Sequence, residues 1–392
     1  MNISVEEIPI KRMTSVDTHH LKVLHIDSGV PGPHVHIQAS VHGAEIQGNA
    51  VIFELLRLLK SGLQFQGSLT VIPMANPMGI NHKAGSYTAG RHNPISGNNW
   101  NRNYHDFVKL SSEFAEGDQD VLNLGGFLED KVQMDWTELK KTYRKLMLSV
   151  IDQRLKRAAE YGISDDSLLA LNLQKLAIPA DFVLDLHTGG VCAKYLYTPE
   201  YCLQSAKNLG FAFNLIIPEE FAGAMDEASF VPWVKLRQEL ANFGREVELD
   251  FEAYTLELGS QEMICIDEAR RDLSGILKFL RAKGMIHDHA YHMLETAPTQ
   301  SQYGCRLADF KSYYAKTGGL AQYHIMPGDF LKRGDLMASI IDFEPLSASL
   351  DMEACLHEIR CIKDCIFISG PISGAISQGM DLFTVMENYF KL

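Results

Sequence analysis

A short junction between two differently patterned runs constrains the fold of this chain more than any other feature. Residues 35–41 form an apolar run typical of a buried strand, and residues 47–60 repeat apolar side chains at helical spacing. His42-Gly43-Ala44-Glu45 lies between them, so we expect a strand, a tight turn and a helix. A His and a Glu three residues apart at such a turn can bind the same metal ion. The inward face of the helix is predicted to comprise Ile46, Ala50, Ile52, Phe53, Leu56 and Leu59.

The HxxE spacing is not specific by itself, because the chain contains it twice. His292 and Glu295 repeat it in a run that carries no other chemical pattern. We interpret this second copy as part of a surface helix. The first copy differs because further motifs come after it along the chain.

Strand-like and helix-like runs alternate from the junction to about residue 294. Apolar and β-branched runs at residues 68–73, 182–187 and 251–259 are bounded by turn signals or helical patterns. This alternation predicts an α/β fold with a mixed, largely parallel sheet flanked by helices. Helical patterns at about 111–178 interrupt it. We interpret them as an inserted helical hairpin, with a lid over the site as the alternative.

The composition changes near residue 298. Beyond it, short β segments are separated by Gly and Pro turns, and the stretch from Gly334 weakly resembles the stretch from Gly379. We therefore predict a small all-β domain, a barrel or sandwich, over residues 299–392. The first domain would occupy residues 1–298.

The charge balance restricts the partners of the protein. Lys and Arg total 36 and Asp and Glu total 49, so the net charge is −13, which disfavours nucleic acid and anionic membranes as partners. No apolar run reaches the roughly 20 residues of a membrane span, and acids stand near the first residue where a signal peptide carries bases. The seven cysteines form no CxxC pair. We expect a cytoplasmic protein with free thiols.

Three side chains from separate stretches predict one metal centre. His187 ends the run at residues 182–187, and α/β proteins place functional groups at strand ends. With His42 and Glu45 it forms the ligand set of a catalytic zinc site, which leaves one position open for water. Zinc lowers the pKa of such water to about 7. Asp185, on the same strand face, is a candidate to orient a ligand histidine from behind, and a purely structural Asp is the alternative.

Five motifs in one order carry a family resemblance. They are His42-Gly-Ala-Glu45, Asn76-Pro77, Gly90-Arg91-His-Asn-Pro94 with Asn101-Arg102, Asp185-Leu-His187-Thr-Gly189, and Thr255-Leu-Glu257-Leu-Gly259. This set resembles the succinylglutamate desuccinylase/aspartoacylase family, a branch of the zinc carboxypeptidase-like amidohydrolases. The resemblance covers about residues 30–390. It implies a zinc-carboxypeptidase-like sheet with an appended C-terminal β domain.

The resemblance also implies roles at the metal. His42, Glu45 and His187 match the ligands of one Zn²⁺, and Glu257 matches the general base that passes a proton from water to the leaving amine. Glu252 lies on the same predicted strand at an odd offset, so it is expected to face the other side.

Further roles are implied for the loop residues. Arg91 matches the cation that stabilises the oxyanion. Asn101 and Arg102 match the pair that binds a substrate carboxylate, a role suited to the planar guanidinium fork. Solvated loop charges are the alternative for both arginines.

The function implied is hydrolysis of the amide bond of an N-acyl amino acid, a small anionic substrate. A zinc carboxypeptidase acting on short peptides is the alternative, because the same Arg102 can bind a peptide C-terminus. Association into a homo-oligomer is left open. The helical insertion lengthens the connection between Arg102 and His187 to about 85 residues, so substrate preference does not carry over from the family.

Two interpretations that lack hydrolase activity, a carrier domain and an inactive relative, have less support in the sequence. The C-terminal segment resembles lipoyl and biotinyl carrier domains, but the flanks of Lys363 lack the methionines of a biotinyl site. A metal-bound, inactive relative would be expected to lack Glu257 or Arg91, and both are present.

Overall fold

A ten-stranded mixed sheet forms the centre of the molecule. The computed structural model describes residues 1–117, 120–287 and 301–392. Its strands up to residue 260 are β1 (Asn2–Arg12), β2 (Thr18–Asp27), β3 (His34–Ala39), β4 (Ser68–Ile72), β5 (Lys83–Ala84), β6 (Tyr87–Thr88), β7 (Val108–Lys109), β8 (Leu122–Asn123), β9 (Phe182–Gly189), β10 (Val191–Cys192), β11 (Lys194–Pro199), β12 (Phe213–Ile217) and β13 (Glu252–Ser260).

Short strands dominate the C-terminal part of the chain. They are β14 (Tyr303–Arg306), β15 (Phe310–Tyr314), β16 (Gly319–Tyr323), β17 (Phe330–Leu331), β18 (Leu336–Ile341), β19 (Leu356–Arg360), β20 (Cys365–Gly370), β21 (Ala375–Ile376), β22 (Asp381–Glu387) and β23 (Phe390–Lys391). The helices of the described residues are α1 (Gln47–Lys60), α2 (Pro77–Asn81), α3 (Leu124–Leu128), α4 (Trp136–Tyr161), α5 (Asp165–Ala177), α6 (Leu203–Ala206), α7 (Met225–Asn242) and α8 (Ile266–Ala282).

The strand order of the main sheet is β1-β2-β4-β3-β9-β13-β11-β12-β14-β23. The central pairings β4–β3, β3–β9 and β9–β13 are parallel, so the carboxyl ends of these strands meet at one edge. Helices α1 and α8 pack on one face of the sheet, and α4, α5 and α7 pack on the other. The predicted fold class is confirmed, and it brings the ends of β3, β9 and β13 together.

Helix α1 begins and ends where the sequence pattern placed it, but its buried face differs from the prediction. Val51 and Leu55 are buried, whereas Phe53 is 59% exposed and Leu56 is half-buried. The reason is that α1 is covered by the sheet and also by α8, which moves the buried arc toward Val51 and Leu55. The assignment of Phe53 to the core was therefore wrong.

The predicted helical insertion consists of α3, α4 and α5. The cap of α4 is Asp135, Gly162 follows its last residue, and the Ser164 hydroxyl caps α5 by accepting from the Ser167 N–H. The apolar stripe of α4 packs into the core beside α7, where the Tyr143 hydroxyl donates to the carbonyl of Pro232 at 2.8 Å. These contacts pack α4 into the core, and the interpretation of the segment as a structural hairpin, with a lid as the alternative, stays a prediction.

Two sheets face each other in the C-terminal part, as in a sandwich. One has the order β10-β20-β22-β15 with β17 beside β20, and the other has the order β19-β18-β16-β21. Their shared core includes Met337, Ile340, Phe367 and Phe383. Strand β10 comes from the earlier part of the chain, while β14 and β23 extend the main sheet, so the two parts share strands.

Two sequence expectations fall outside the described residues. The boundary proposed near residue 298 and the second HxxE copy, His292 and Glu295, both lie within residues 288–300. Among the helices that the structure describes, none has the length and apolar character needed to cross a membrane. The cysteines are free thiols.

Candidate active site

His42 and Glu45 lie in the turn between β3 and α1. The turn is tight because Gly43 touches another backbone segment: a Cβ at this position would lie 2.1 Å from the carbonyl oxygen of Gly79. The Gly43 N–H donates to the carbonyl of Gly90 at 2.9 Å, so the same contact ties the Arg91 loop to the turn. Only glycine fits here, and it holds both side chains over the sheet edge.

The structure brings His42, Glu45 and His187 together. Their candidate ligand atoms all lie within 4.8 Å of one another, and the three side chains are buried. Glu45 lies between the two rings: its Oε1 is 2.9 Å from His42 Nδ1 and its Oε2 is 2.8 Å from His187 Nδ1. No other group of this kind occurs in the described part of the chain.

The outer nitrogen of each ring has its own acceptor. His42 Nε2 lies 2.8 Å from Asn99 Oδ1, an atom that also accepts the Asn101 N–H, and His187 Nε2 lies 2.8 Å from Asp185 Oδ2. Because these oxygens accept, each Nε2 carries the hydrogen, and a neutral ring then presents the Nδ1 lone pair toward Glu45. Two imidazole nitrogens and a carboxylate oxygen facing one point are a donor set that zinc prefers, so these residues fit the metal.

Charges around the centre favour a cation. Burial alone would raise the pKa of Glu45, but His42 and His187 outweigh it and lower that pKa below its ordinary value. Burial lowers the pKa of His42. Burial opposes ionisation of His187 as well, yet Asp185 and Glu45 raise its pKa well above the ordinary value. The two carboxylates thus stabilise positive charge at this position, which a divalent cation supplies while both rings stay neutral.

A buried polar chain continues behind His187. Asp185 Oδ1 accepts from Gln38 Nε2 at 3.1 Å, and Gln38 Oε1 lies 2.9 Å from His36 Nε2. Sequence reasoning proposed Asp185 but missed Gln38 and Asn99. The spacing of Gln38 on β3 carried a signal, because it shares the sheet face of His36, whereas Asn99 lies in a loop without periodicity.

Glu257 lies beside this centre on β13. It pairs in register with His187 on β9 and with Tyr195 on β11, so the three side chains share one face of the sheet. Its Oε2 is buried and has no hydrogen-bond partner among the described residues. Burial raises the pKa of Glu257 to about 8, and Glu45 adds to this rise. Glu252 faces the opposite side, where it contacts Lys283.

The loop residues take different positions. Arg91 Nη1 is 3.0 Å from Glu45 Oε1, and 55% of its side chain is exposed. Asn101 is buried, and its Oδ1 accepts the N–H of Met225 at 3.2 Å, so this amide holds the start of α7. Arg102 is exposed, donates to the carbonyl of Asn101 at 2.7 Å, and forms no ion pair with an acid of the described residues.

Two further groups near Glu257 were not predicted. Tyr195 and Tyr197 lie on the neighbouring strand β11 with their hydroxyls 3.1 Å apart. Asp226 lies at the start of α7, which packs on β13, and its pKa is affected by Thr255. The alternation of Tyr195 and Tyr197 on one strand could have indicated a shared face. Asp226 gave no signal, because acids are common in the first turn of helices.

Comparisons with known proteins agree with this geometry. Residues 31–123 match the family model of the succinylglutamate desuccinylase/aspartoacylase catalytic domain. A crystal structure from Shewanella frigidimarina NCIMB 400, described as a succinylglutamate desuccinylase/aspartoacylase, is 36% identical, with a TM-score of 0.88 over 99% of this chain and 98% of that one. A family protein from Shewanella amazonensis SB2B is 35% identical, with a TM-score of 0.88 over 99% and 100%.

A more distant structure shares the fold alone. The product-bound ectoine utilization protein EutE (DoeB) from Ruegeria pomeroyi is 16% identical, with a TM-score of 0.63 over 98% of this chain and 94% of that one. No protein of curated function matches the sequence significantly.

The fold and the site together define an α/β enzyme of the deacylase class of hydrolases. More narrowly, the identity and coverage show that the chain belongs to the succinylglutamate desuccinylase/aspartoacylase family.

Proposed function

We propose that this chain is a zinc-dependent hydrolase that cleaves the amide bond of an N-acyl amino acid. The observation that carries the proposal is the position of Glu45 between two histidine Nδ1 atoms whose Nε2 atoms are already bound. This pattern is typical of metal-ligating histidines, whose outer nitrogen is normally held by an oxygen acceptor. His42, Glu45 and His187 would hold the ion.

When bound, zinc supplies a Lewis acid that polarises the amide carbonyl and acidifies water in the site. The chain must supply the proton transfers, because an amide breaks only if the amine leaves protonated. Glu257 suits this role because its Oε2 is unpartnered among the described residues and faces the side of His187. It would accept a proton from the attacking water and return it to the amine nitrogen.

Arg91 would stabilise the negative charge that develops on the carbonyl oxygen. Its Nη1 lies against Glu45, so the guanidinium is at the rim of the metal centre while most of the side chain stays exposed. Removal of a comparable oxyanion donor costs about 3 kcal/mol in other enzymes. The same size of effect is expected here.

Arg102 would bind the α-carboxylate of the amino acid. It is a cation without an acidic partner among the described residues, next to Asn101, which fixes the local backbone through Met225. Asp185 would orient His187 from behind through the bond to Nε2.

The test is amine release from N-acetyl, N-succinyl and N-formyl amino acids and from short peptides, with and without a zinc chelator. Chelator-sensitive turnover of an acyl amino acid, restored by added zinc, supports the proposal. Chelator-sensitive cleavage of peptides instead would support the carboxypeptidase alternative. Turnover that persists after metal removal would contradict a zinc mechanism.

A further inference from the structure

Asp226 is a buried acid that the proposed mechanism does not use. It is 3% exposed, comparable to the candidate ligands His42, Glu45 and His187 at 4%, 1% and 2%. Its Oδ1 accepts the N–H of Glu227 at 2.9 Å. No Lys, Arg or His of the described residues forms an ion pair with it.

The start of α7 is packed against the proposed carboxylate anchor. The Met225 N–H donates to Asn101 Oδ1 at 3.2 Å. Two residues earlier, a Cβ on Gly223 would lie 3.0 Å from the carbonyl oxygen of Arg102. Asp226 therefore directly follows Met225, whose N–H bonds to the segment that carries Arg102.

Helix α7, which carries Asp226, also packs on β13, the strand that carries the proposed base. The Thr255 side chain is close enough to lower the pKa of Asp226, and Thr255 lies two residues before Glu257 on the same face of β13. In register, Thr255 lies between Asp185 on β9 and Tyr197 on β11. Asp226 therefore lies in the first turn of a helix that contacts both the segment of Arg102 and the strand of Glu257.

A helix-stabilising role does not account for this burial. An acid in the first turn gains about 0.3–1 kcal/mol from the helix dipole at the surface, without leaving water. The neighbouring Glu227 already stabilises the start of the helix, because its Oε2 accepts the N–H groups of Ala222 and Ala224. Burial raises the pKa of Asp226 to about 7, and Glu227 adds to the rise. A buried carboxylate without a cation is costly to the fold, and a cationic ligand offsets that cost.

We propose that Asp226 binds the cationic side chain of the substrate, so that this enzyme deacylates N-acyl derivatives of a basic amino acid. The inference rests on the proposed function and names its substrate class. Arg102 would bind the α-carboxylate and Asp226 the side-chain ammonium, so the two opposite charges fix the direction in which the substrate lies. A glutamate or aspartate side chain would meet Asp226 as a like charge.

The test compares kcat/KM of the zinc-loaded enzyme for matched substrates. Nα-acetyl and Nα-succinyl derivatives of lysine and ornithine are set against those of norleucine, norvaline and glutamate. We expect at least a tenfold preference for the cationic members, and Asp226→Asn should reduce the ratio of cationic to neutral kcat/KM at least tenfold. Glu227→Gln is the matched control, since it removes the adjacent charge outside the site, and the ratio should persist.

A preference for neutral or acidic members, or a ratio that survives Asp226→Asn, would overturn the inference while leaving the deacylase proposal intact. Absence of turnover on every member would contradict the deacylase proposal. In that case, calorimetry of the free amino acids decides the inference separately. Lysine or ornithine binding more tightly than norleucine, with the difference lost in Asp226→Asn, would support it, and equal binding would refute it.

Discussion

The two halves of the candidate site differ in how completely the protein satisfies its own polar groups. In the metal half, formed by His42, Glu45, His187 and Asp185, an oxygen acceptor holds the Nε2 of each histidine, and both Nδ1 atoms face Glu45. The bonds continue from Asp185 to Gln38. In the substrate half, Arg102 lacks an acid and Asp226 lacks a cation among the described residues. Glu257 Oε2 lacks a hydrogen-bond partner there as well.

The difference matches two tasks: the metal half is built in advance to hold an ion, and the substrate half is left able to bind a substrate. Groups that must hold an ion in fixed geometry gain from neighbours that lock their rotamers and tautomers. Groups that must bind a substrate lose affinity if the protein already neutralises them, because the internal bond has to break first. The metal half should therefore respond to mutation through metal affinity, and the substrate half through kinetics and stability.

The largest effect is expected from breaking the metal half directly. His187→Ala removes one of three protein ligands, so bound zinc per chain should fall to background and kcat/KM should fall by about 10⁴-fold, since a catalytic metal contributes several kcal/mol. Metal content by mass spectrometry checks this. His25→Ala, at a partly exposed histidine on β2, is the control. A full zinc complement in His187→Ala would remove His187 from the ligand set.

The next largest effect is expected from substitution of Glu257, which should leave zinc binding intact. Glu257→Gln keeps the shape but removes the proton acceptor, so kcat should fall by about 10³-fold while zinc stays bound. Glu252→Gln is the matched control on the opposite face of the same strand. It breaks the contact with Lys283 and should lower stability without a comparable loss of turnover. Activity retained in Glu257→Gln would assign the base elsewhere.

The sequence predicted the metal half better than the substrate half, for a physical reason. Strand periodicity fixes which side chains of one strand share a face, so Asp185 could be placed on the face of His187 before any coordinates. The turn at Gly43 and the strand ends are local features too. Alternation of strands and helices indicated the fold class in the same way.

Contacts between distant loops carry no periodic signal. Asn99 contacts His42, and Asn101 contacts the start of α7 that carries Asp226. Neither spacing nor composition encodes these contacts. Phe53 shows the same limit in the core: a helical stripe was visible, but the second cover from α8 shifted the buried arc.

The pH dependence of the stability of the protein tests whether Asp226 is a buried acid without a cation. Its pKa is raised to about 7 in the fold against an ordinary 3.8, so the folded state holds the proton longer than the unfolded chain. Wild-type stability is therefore lost as pH rises from about 4 to 7, and Asn at this position escapes the loss. Asp226→Asn should become more stable than wild type over this range, by up to about 4 kcal/mol above pH 7.

Urea unfolding of the zinc-loaded proteins at pH 5, 6, 7 and 8 measures this difference. It should be about two fifths of its full size at pH 5, grow through pH 6, and be nearly constant above pH 7. A difference that does not change with pH would mean that Asp226 titrates alike in the folded and unfolded chains.

A smaller effect is expected from Asp185, which bonds the Nε2 of His187 on the side away from Glu45. Asp185 accepts two bonds, from His187 Nε2 and from Gln38 Nε2, and an Asn can accept only one of them. Asp185→Asn should weaken zinc affinity about 10–100-fold, measured by competition with a zinc-buffering chelator. Asp181→Asn, at an acid just before β9 that bonds Arg144, is the control. Unchanged affinity in Asp185→Asn would reduce Asp185 to a structural residue.

The smallest effect should come from Arg102, because a lysine keeps the charge. A guanidinium offers a planar fork to a carboxylate, whereas an ammonium acts as a compact point charge. Arg102→Lys should therefore raise KM about tenfold, close to 1.4 kcal/mol, for N-acyl amino acids with a free α-carboxylate. Steady-state kinetics on matched α-carboxamides supply the control, since these substrates lack the group that Arg102 binds and their KM should stay the same. If the KM of both substrate types rose together, the substitution would be acting through the packing of Asn101 on α7, and the unpaired cation of the substrate half would not be the carboxylate anchor.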